Sequence, residues 1–204
     1  MYIKERAYNI PKNDRLFIPA GIIENVALKS AKVETSANGN TFLEITFEKD
    51  KATLTDTEWK PMKGQFTVTD EDLQKKEDNQ FSRMMQILLC FYKDEDLVFN
   101  GTSFDTFVKE VADYLNKADK SILLKLKAVY NNKGYISLPS YAKYTFIEPM
   151  NLPEGKTSMI AELSIDQFTK PVIADTETPV DNLDTDFSQN STNITAPNSD
   201  GLPF

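Results

Sequence analysis

Residues 1–150 form a mainly β domain with an α insertion, a Greek-key barrel of five antiparallel strands whose helices lie between strands three and four. Three observations predict it. Apolar residues alternate with period two in two separate stretches, about 17–59 and 122–148; helical spacing takes over between them, about 69–118; and every Lys and Arg disappears after Lys170. The chain therefore divides into this domain, a short connecting segment 151–170, and a flexible acidic tail 171–204.

The first strand is expected at Phe17–Leu28, an apolar stretch rich in β-branched side chains. Asn38-Gly39 marks a turn, after which Leu43, Ile45 and Phe47 share one face of a second strand. A third runs from Ala52 to Trp59 and stops before Pro61. Thr69 is then a helix N-cap followed by Asp70, Glu71 and Asp72, with Phe81, Met84, Met85, Leu88 and Phe91 at apolar positions. Ser103 starts another helix, in which Phe104, Phe107, Val108, Val111 and Leu115 fall on one face. Residues 122–130 and 135–138 form a hairpin around Asn131-Asn132-Lys133-Gly134, and 143–148 supply a closing strand. This element order fits the OB-fold, although the helical insertion is larger than a minimal one needs.

Composition excludes several chemistries. The 204 residues contain no His, so His-based triads, His general bases and His-ligated metals are ruled out. Cys90 is the only cysteine and sits in the apolar run Ile87-Leu88-Leu89-Cys90-Phe91, where a small buried hydrophobe is expected. No cofactor is expected. The acid clusters 70–72 and 94–96 could hold Mg²⁺ for a nuclease, but helix capping explains both better. No apolar run has membrane-spanning length, and Met1-Tyr2-Ile3-Lys4-Glu5-Arg6 lacks a secretion signal, so a cytoplasmic protein is expected. The net charge of −8 does not veto nucleic acid, because six of the acids lie after Lys170 and leave a nearly neutral body.

Aromatic residues beside basic ones are what single-strand binding requires, since every base presents a π-face and every phosphate a charge. The second hairpin offers Tyr130, Lys133 and Tyr135, with Tyr141 and Lys143 just beyond. Lys125 and Lys127 alternate with Leu124 and Leu126, so both are expected to leave the barrel on one face. Phe42 is out of phase with Leu43 and is expected on the binding face. Trp59, beside Lys60, either stacks a base or closes the end of the barrel, the latter being favoured. Tyr2, Lys4, Arg6, Tyr8, Lys12 and Arg15 interleave aromatic and basic residues in an arm that either lies on DNA or is a solvated leader.

The tail ends Asp200-Gly201-Leu202-Pro203-Phe204. Phe204 can fill an apolar pocket, its terminal carboxylate can pair with an Arg, and Pro203 limits the conformations lost on binding. This ending resembles the tails of bacterial and phage single-stranded DNA-binding proteins, which finish in acids, then Ile or Leu, then Pro-Phe. The resemblance implies non-enzymatic coating of single-stranded DNA during replication, recombination or repair, in the host cytoplasm if phage-encoded. It also implies recruitment of replication and recombination proteins through Asp200, Leu202, Pro203 and Phe204. Oligomeric state is left open. The rival reading is an OB-like interaction module that docks partners without gripping DNA.

Overall fold

The computed structural model describes residues 16–64 and 67–171. The N-terminal arm expected from the sequence and the acidic tail beyond Pro171 lie outside them. The chain separates into two units at Ile173, and the described residues belong to the first.

The first strand, β1 (Gly21–Thr35), runs well past its apolar stretch. It continues because Leu28 and Ala31 stay buried while Lys29, Lys32 and Glu34 face outward, so the polar stretch keeps strand alternation. Two irregularities, between Ile23 and Val26 and between Leu28 and Ser30, bend it, and Asn25 takes a positive φ of 58° at the first. The bent strand serves two neighbours: its first half pairs with β4 (Leu123–Tyr130) and its second with β2 (Thr41–Lys49). Strand β3 (Ala52–Trp59) folds back on β2 through a two-residue loop, Asp50-Lys51, with φ of 49° and 71°.

Helix α1 (Asp70–Leu88) begins at a capping box in which Thr69 and Asp72 satisfy each other's backbone N–H groups. Ser103 and Thr106 do the same for α2 (Phe104–Lys117), which buries Val108, Val111, Ala112 and Leu115. A short 3₁₀ turn, Asp94–Asp96, lies between the helices. Near its end α2 offers Asn116, whose carboxamide donates to Ala31 O at 2.8 Å and accepts from Ala31 N at 3.3 Å. Those groups face the side of β1 that β4 no longer covers, so one side chain stands in for a missing strand.

The two remaining strands are short: β5 (Ile136–Ser137) and β6 (Ile147–Pro149) both pair with β4. The result is an antiparallel six-stranded sheet in the order β3-β2-β1-β4-β5, with β6 beside β4. The core lies between its inner face and the helices, around Leu43, Ile45, Phe47, Met84, Ile87, Val111, Leu115, Leu124, Leu126 and Phe146. Cys90 joins it, and burial, with a smaller contribution from Glu148, pushes its thiol up to about 12.

The closing strand expected at 143–148 is only Ile147–Pro149, and it does not run along β3. The sheet is unclosed between β3 and β5. The reason is that the chain following β5 finds other hydrogen-bond partners, on α1. Asn79 Nδ2 donates to Ser140 O at 2.8 Å and Asn79 Oδ1 accepts from Ala142 N at 3.0 Å. Arg83 Nε donates to Pro139 O at 2.8 Å, and Gln86 Nε2 donates to Ala142 O at 2.7 Å. Asn79, Arg83 and Gln86 are spaced i, i+4, i+7, so one polar stripe of the helix replaces a strand edge.

At the seam itself, Leu16–Ile18 forms a short parallel bridge to Thr53, with Ile18 N donating to Thr53 O at 3.1 Å. Further along β3, Asp56 and Glu58 point inward in phase with Leu54 and meet Arg83. The guanidinium donates to Asp56 Oδ2 at 3.2 Å and also to Glu58, while Asp56 Oδ1 accepts from Leu138 N at 3.2 Å. All three side chains are buried.

Two carboxylates share one cation here. Burial raises both carboxyls above their ordinary range; Arg83 opposes this at each, and Asp56 adds to it at Glu58. Arg83→Met should therefore cost about 3–5 kcal/mol, since it strands two buried acids; urea unfolding measures this, and a loss under about 1 kcal/mol would contradict the assignment. A carboxyl raised by folding contributes most below its unfolded pKa, about 4, and loses that contribution as pH climbs through the folded value. Glu58→Gln should accordingly flatten the fall in stability as pH rises above about 4. Parallel stability curves for the variant and the parent would refute this.

Candidate nucleic-acid interface

Alternation along β3 that turns Leu54, Asp56 and Glu58 inward turns Thr53, Thr55, Thr57 and Trp59 outward. Six residue steps make this row about 20 Å long. Trp59 stands 47% exposed at one end, on the surface and not closing the barrel, which corrects the favoured expectation. The cause is again β3's phase: Glu58, not Trp59, takes the inward position and pairs with Arg83. Phe42, opposite Trp59 in the β2–β3 register, stacks on it with ring centroids 4.4 Å apart and planes at 29°. The two rings make an aromatic shelf beside exposed Lys60 and Met62.

The other end of the row opens into a groove of about 490 Å³ that Thr53 and Thr55 share with Phe17, Tyr130, Tyr135 and Lys170. Phe17 and Tyr135 are 67% and 69% exposed. Asn131 builds this end: its side-chain oxygen accepts from Lys133 N at 2.9 Å and Tyr135 N at 3.0 Å, while Gly134 takes φ 74°. The tight turn leaves Lys133 exposed beside Tyr135. Between the two ends the row carries no charge. On the neighbouring strands Lys29 pairs with Glu48, and Lys32 sits opposite Glu44 in register.

The hairpin residues do not gather into one cluster. Lys125 is half-buried, 3.4 Å from Glu24. Lys143 lies over the Tyr144 ring at 5.5 Å, and Tyr144 meets Tyr141 edge-on. Lys127, expected to project outward with Lys125, is fully buried. Its ammonium donates to Asp166 Oδ2 at 2.6 Å, Tyr141 Oη at 2.9 Å and Ala161 O, which uses all three protons. Tyr141 in turn donates to Asp166 Oδ1 at 2.7 Å. The outer face of β4 is covered at this point because residues 159–167 cross it, with Tyr130 N donating to Gln167 O at 2.8 Å and Met159 N donating to Glu148 Oε2 at 3.1 Å. Neither Lys127 nor the Tyr141 hydroxyl is free for a ligand; both anchor the connecting segment.

Burial alone would raise Asp166, but the bonds from Lys127, Tyr141 and Leu163 N–H outweigh it and hold the carboxyl below its ordinary range. The Tyr141 phenol is pushed up by burial and by its bond to Asp166. Phe17, the threonines of β3, Met62 and Lys170 belong to this surface and were not read from the sequence as site residues. The β3 alternation carried the signal for the threonines, whereas Phe17 appeared as ordinary strand core. The acids at 70–72 complete the cap and take surface partners: Asp72 Oδ2 accepts from Thr69 N at 3.2 Å, Lys63 pairs with Asp70, and Lys75 pairs with Glu71 at 3.1 Å.

No protein-family model, curated protein or solved structure matches this chain. Among the described residues no helix is long and apolar enough to cross a membrane.

Lys127→Met leaves the Asp166 carboxylate buried without its cation and should cost about 3–5 kcal/mol of stability. It should also expose residues 151–170 to limited proteolysis at temperatures where the parent resists. Unchanged stability with unchanged cleavage would show that the lysine is not the anchor.

Proposed function

We propose that the protein binds single-stranded DNA with little regard to sequence, coats it during replication, recombination or repair, and recruits partner proteins through its acidic tail. The single observation that carries this reading is the uncharged outer row of β3, which runs from the Phe42–Trp59 shelf to the groove of Phe17, Tyr130 and Tyr135. Bases can stack at both ends while Lys60, Lys133 and Lys170 meet phosphates. A row about 20 Å long suits a strand of a few nucleotides, the scale of one OB-type site. The strand order β3-β2-β1-β4-β5 supports an OB-type sheet left partly open at the β3–β5 seam. The ending Leu202-Pro203-Phe204 supports partner capture.

No catalytic role enters this proposal. The rival, an interaction module that docks partners without gripping DNA, draws on the neutralised sheet centre, where Glu44 and Glu48 offset Lys32 and Lys29. Trp59 is the only tryptophan, so it reports on its own surface. Titration with oligo-dT should quench its emission, and binding should weaken as salt rises. Trp59→Ala, followed by anisotropy of labelled oligo-dT, should lose about 1–3 kcal/mol of affinity. Unchanged emission together with no anisotropy rise would leave the docking module as the reading.

A further inference from the structure

We propose that helix α1 forms part of the strand-binding surface, through a phosphate subsite made by Lys75 and Lys76 beside Trp59. This deepens the reading of the protein as a single-strand binder and rests on it. A cavity of about 360 Å³ lies off the exposed end of β3, lined by Trp59, Pro61, Lys75, Lys76, Gln80 and Arg83 among others. A polynucleotide stacked on Trp59 and leaving the sheet at that end would enter this cavity next.

The cavity's polar groups divide sharply into committed and available ones. Arg83 is spent on Asp56, Glu58 and Pro139 O, and Gln80 Nε2 on Glu58 Oε2 at 2.8 Å and Trp59 O at 2.9 Å. Asn79, also at the rim, is spent on Ser140 and Ala142. What is left is the two ammonium groups. Lys75 has an exposed partner one turn earlier, Glu71 at 3.1 Å, a contact of the kind worth only a few tenths of a kcal/mol that a phosphate can displace. Lys76 pairs with no carboxylate among the described residues.

Helical spacing fixes where these cations stand. Lys76, Gln80 and Arg83 follow i, i+4, i+7, so Lys76 lies one turn before the side chain that holds the Trp59 carbonyl. Lys75 precedes Asn79 by one turn in the same way. The stripe that closes the sheet seam therefore also sets both lysines in one cavity with Trp59 at the end of β3, and phosphodiester oxygens are the ligand chemistry that two ammonium groups near a strand stacked at that end would take.

The test is the double variant Lys75→Ala/Lys76→Ala, in which alanine preserves helix propensity. A control, Lys93→Ala/Lys109→Ala, removes the same charge from exposed positions elsewhere. Anisotropy of a labelled dT oligonucleotide is read across a salt series. The subsite variant should bind roughly tenfold more weakly at low salt and flatten the slope of log affinity against log salt by about 1.4, the value for two phosphates on a single strand. The control should match the parent. Equal binding by the subsite variant and its control, with the parent still binding, overturns the subsite and leaves the single-strand reading intact. Absence of binding by the parent overturns both.

Discussion

The Arg83 guanidinium is the constraint on which the rest of this structure depends. Each of its three nitrogens donates, to a backbone carbonyl on the segment after β5 and to two carboxylates on β3, so one planar group ties the two sides of an unclosed sheet to the helix above them. Remove the guanidinium and the inward positions of β3 hold two like charges in the core. With it, those positions become a polar weld among hydrophobic neighbours. Gln80 and Leu138 N satisfy further lone pairs of the carboxylates, which is the condition under which a buried network rigidifies its surroundings.

The outer surface follows from this weld. Because β3 sends Asp56 and Glu58 inward, its other face must carry Thr55, Thr57 and Trp59. Because the seam is closed by side chains and by the Leu16–Ile18 bridge, Phe17 stands at the mouth of a groove beside Tyr135. A continuous β3–β5 ladder would bring Tyr130 and Tyr135 against the sheet edge; the side-chain closure leaves room between them. Architecture and candidate interface thus have one origin.

A second buried ion pair governs the far side. Lys127 and Asp166 hold residues 159–167 across β4, and Tyr141 completes the triangle. The cost of desolvating both charges is offset by hydrogen bonds on each, three on the ammonium and three on the carboxylate. This segment brings Lys170 to the groove. A stretch that looks like a linker is in this way a structural part of the domain.

The order of elements was legible in the chain. Alternation at Leu43, Ile45 and Phe47, the caps at Thr69 and Ser103, and the spacing of Val108, Val111 and Leu115 are local patterns, and local patterns encode strands and helices directly. Phase also placed Phe42 on the outer face. What escaped was every feature that depends on a partner far along the chain. Lys127 has a strand phase that reads as solvent-facing, and only Asp166, 39 residues later, makes its burial tolerable. Arg83 reads as a solvated helix residue until Asp56, 27 residues earlier, is found to point inward. Buried charges are uninterpretable one at a time, because the free energy that permits them belongs to a pair or a network. The sequence by itself thus determined which segments are strands and helices and which faces are apolar; the tertiary structure alone decided how the sheet seam closes, which lysines are anchors, and which aromatic rings reach solvent together.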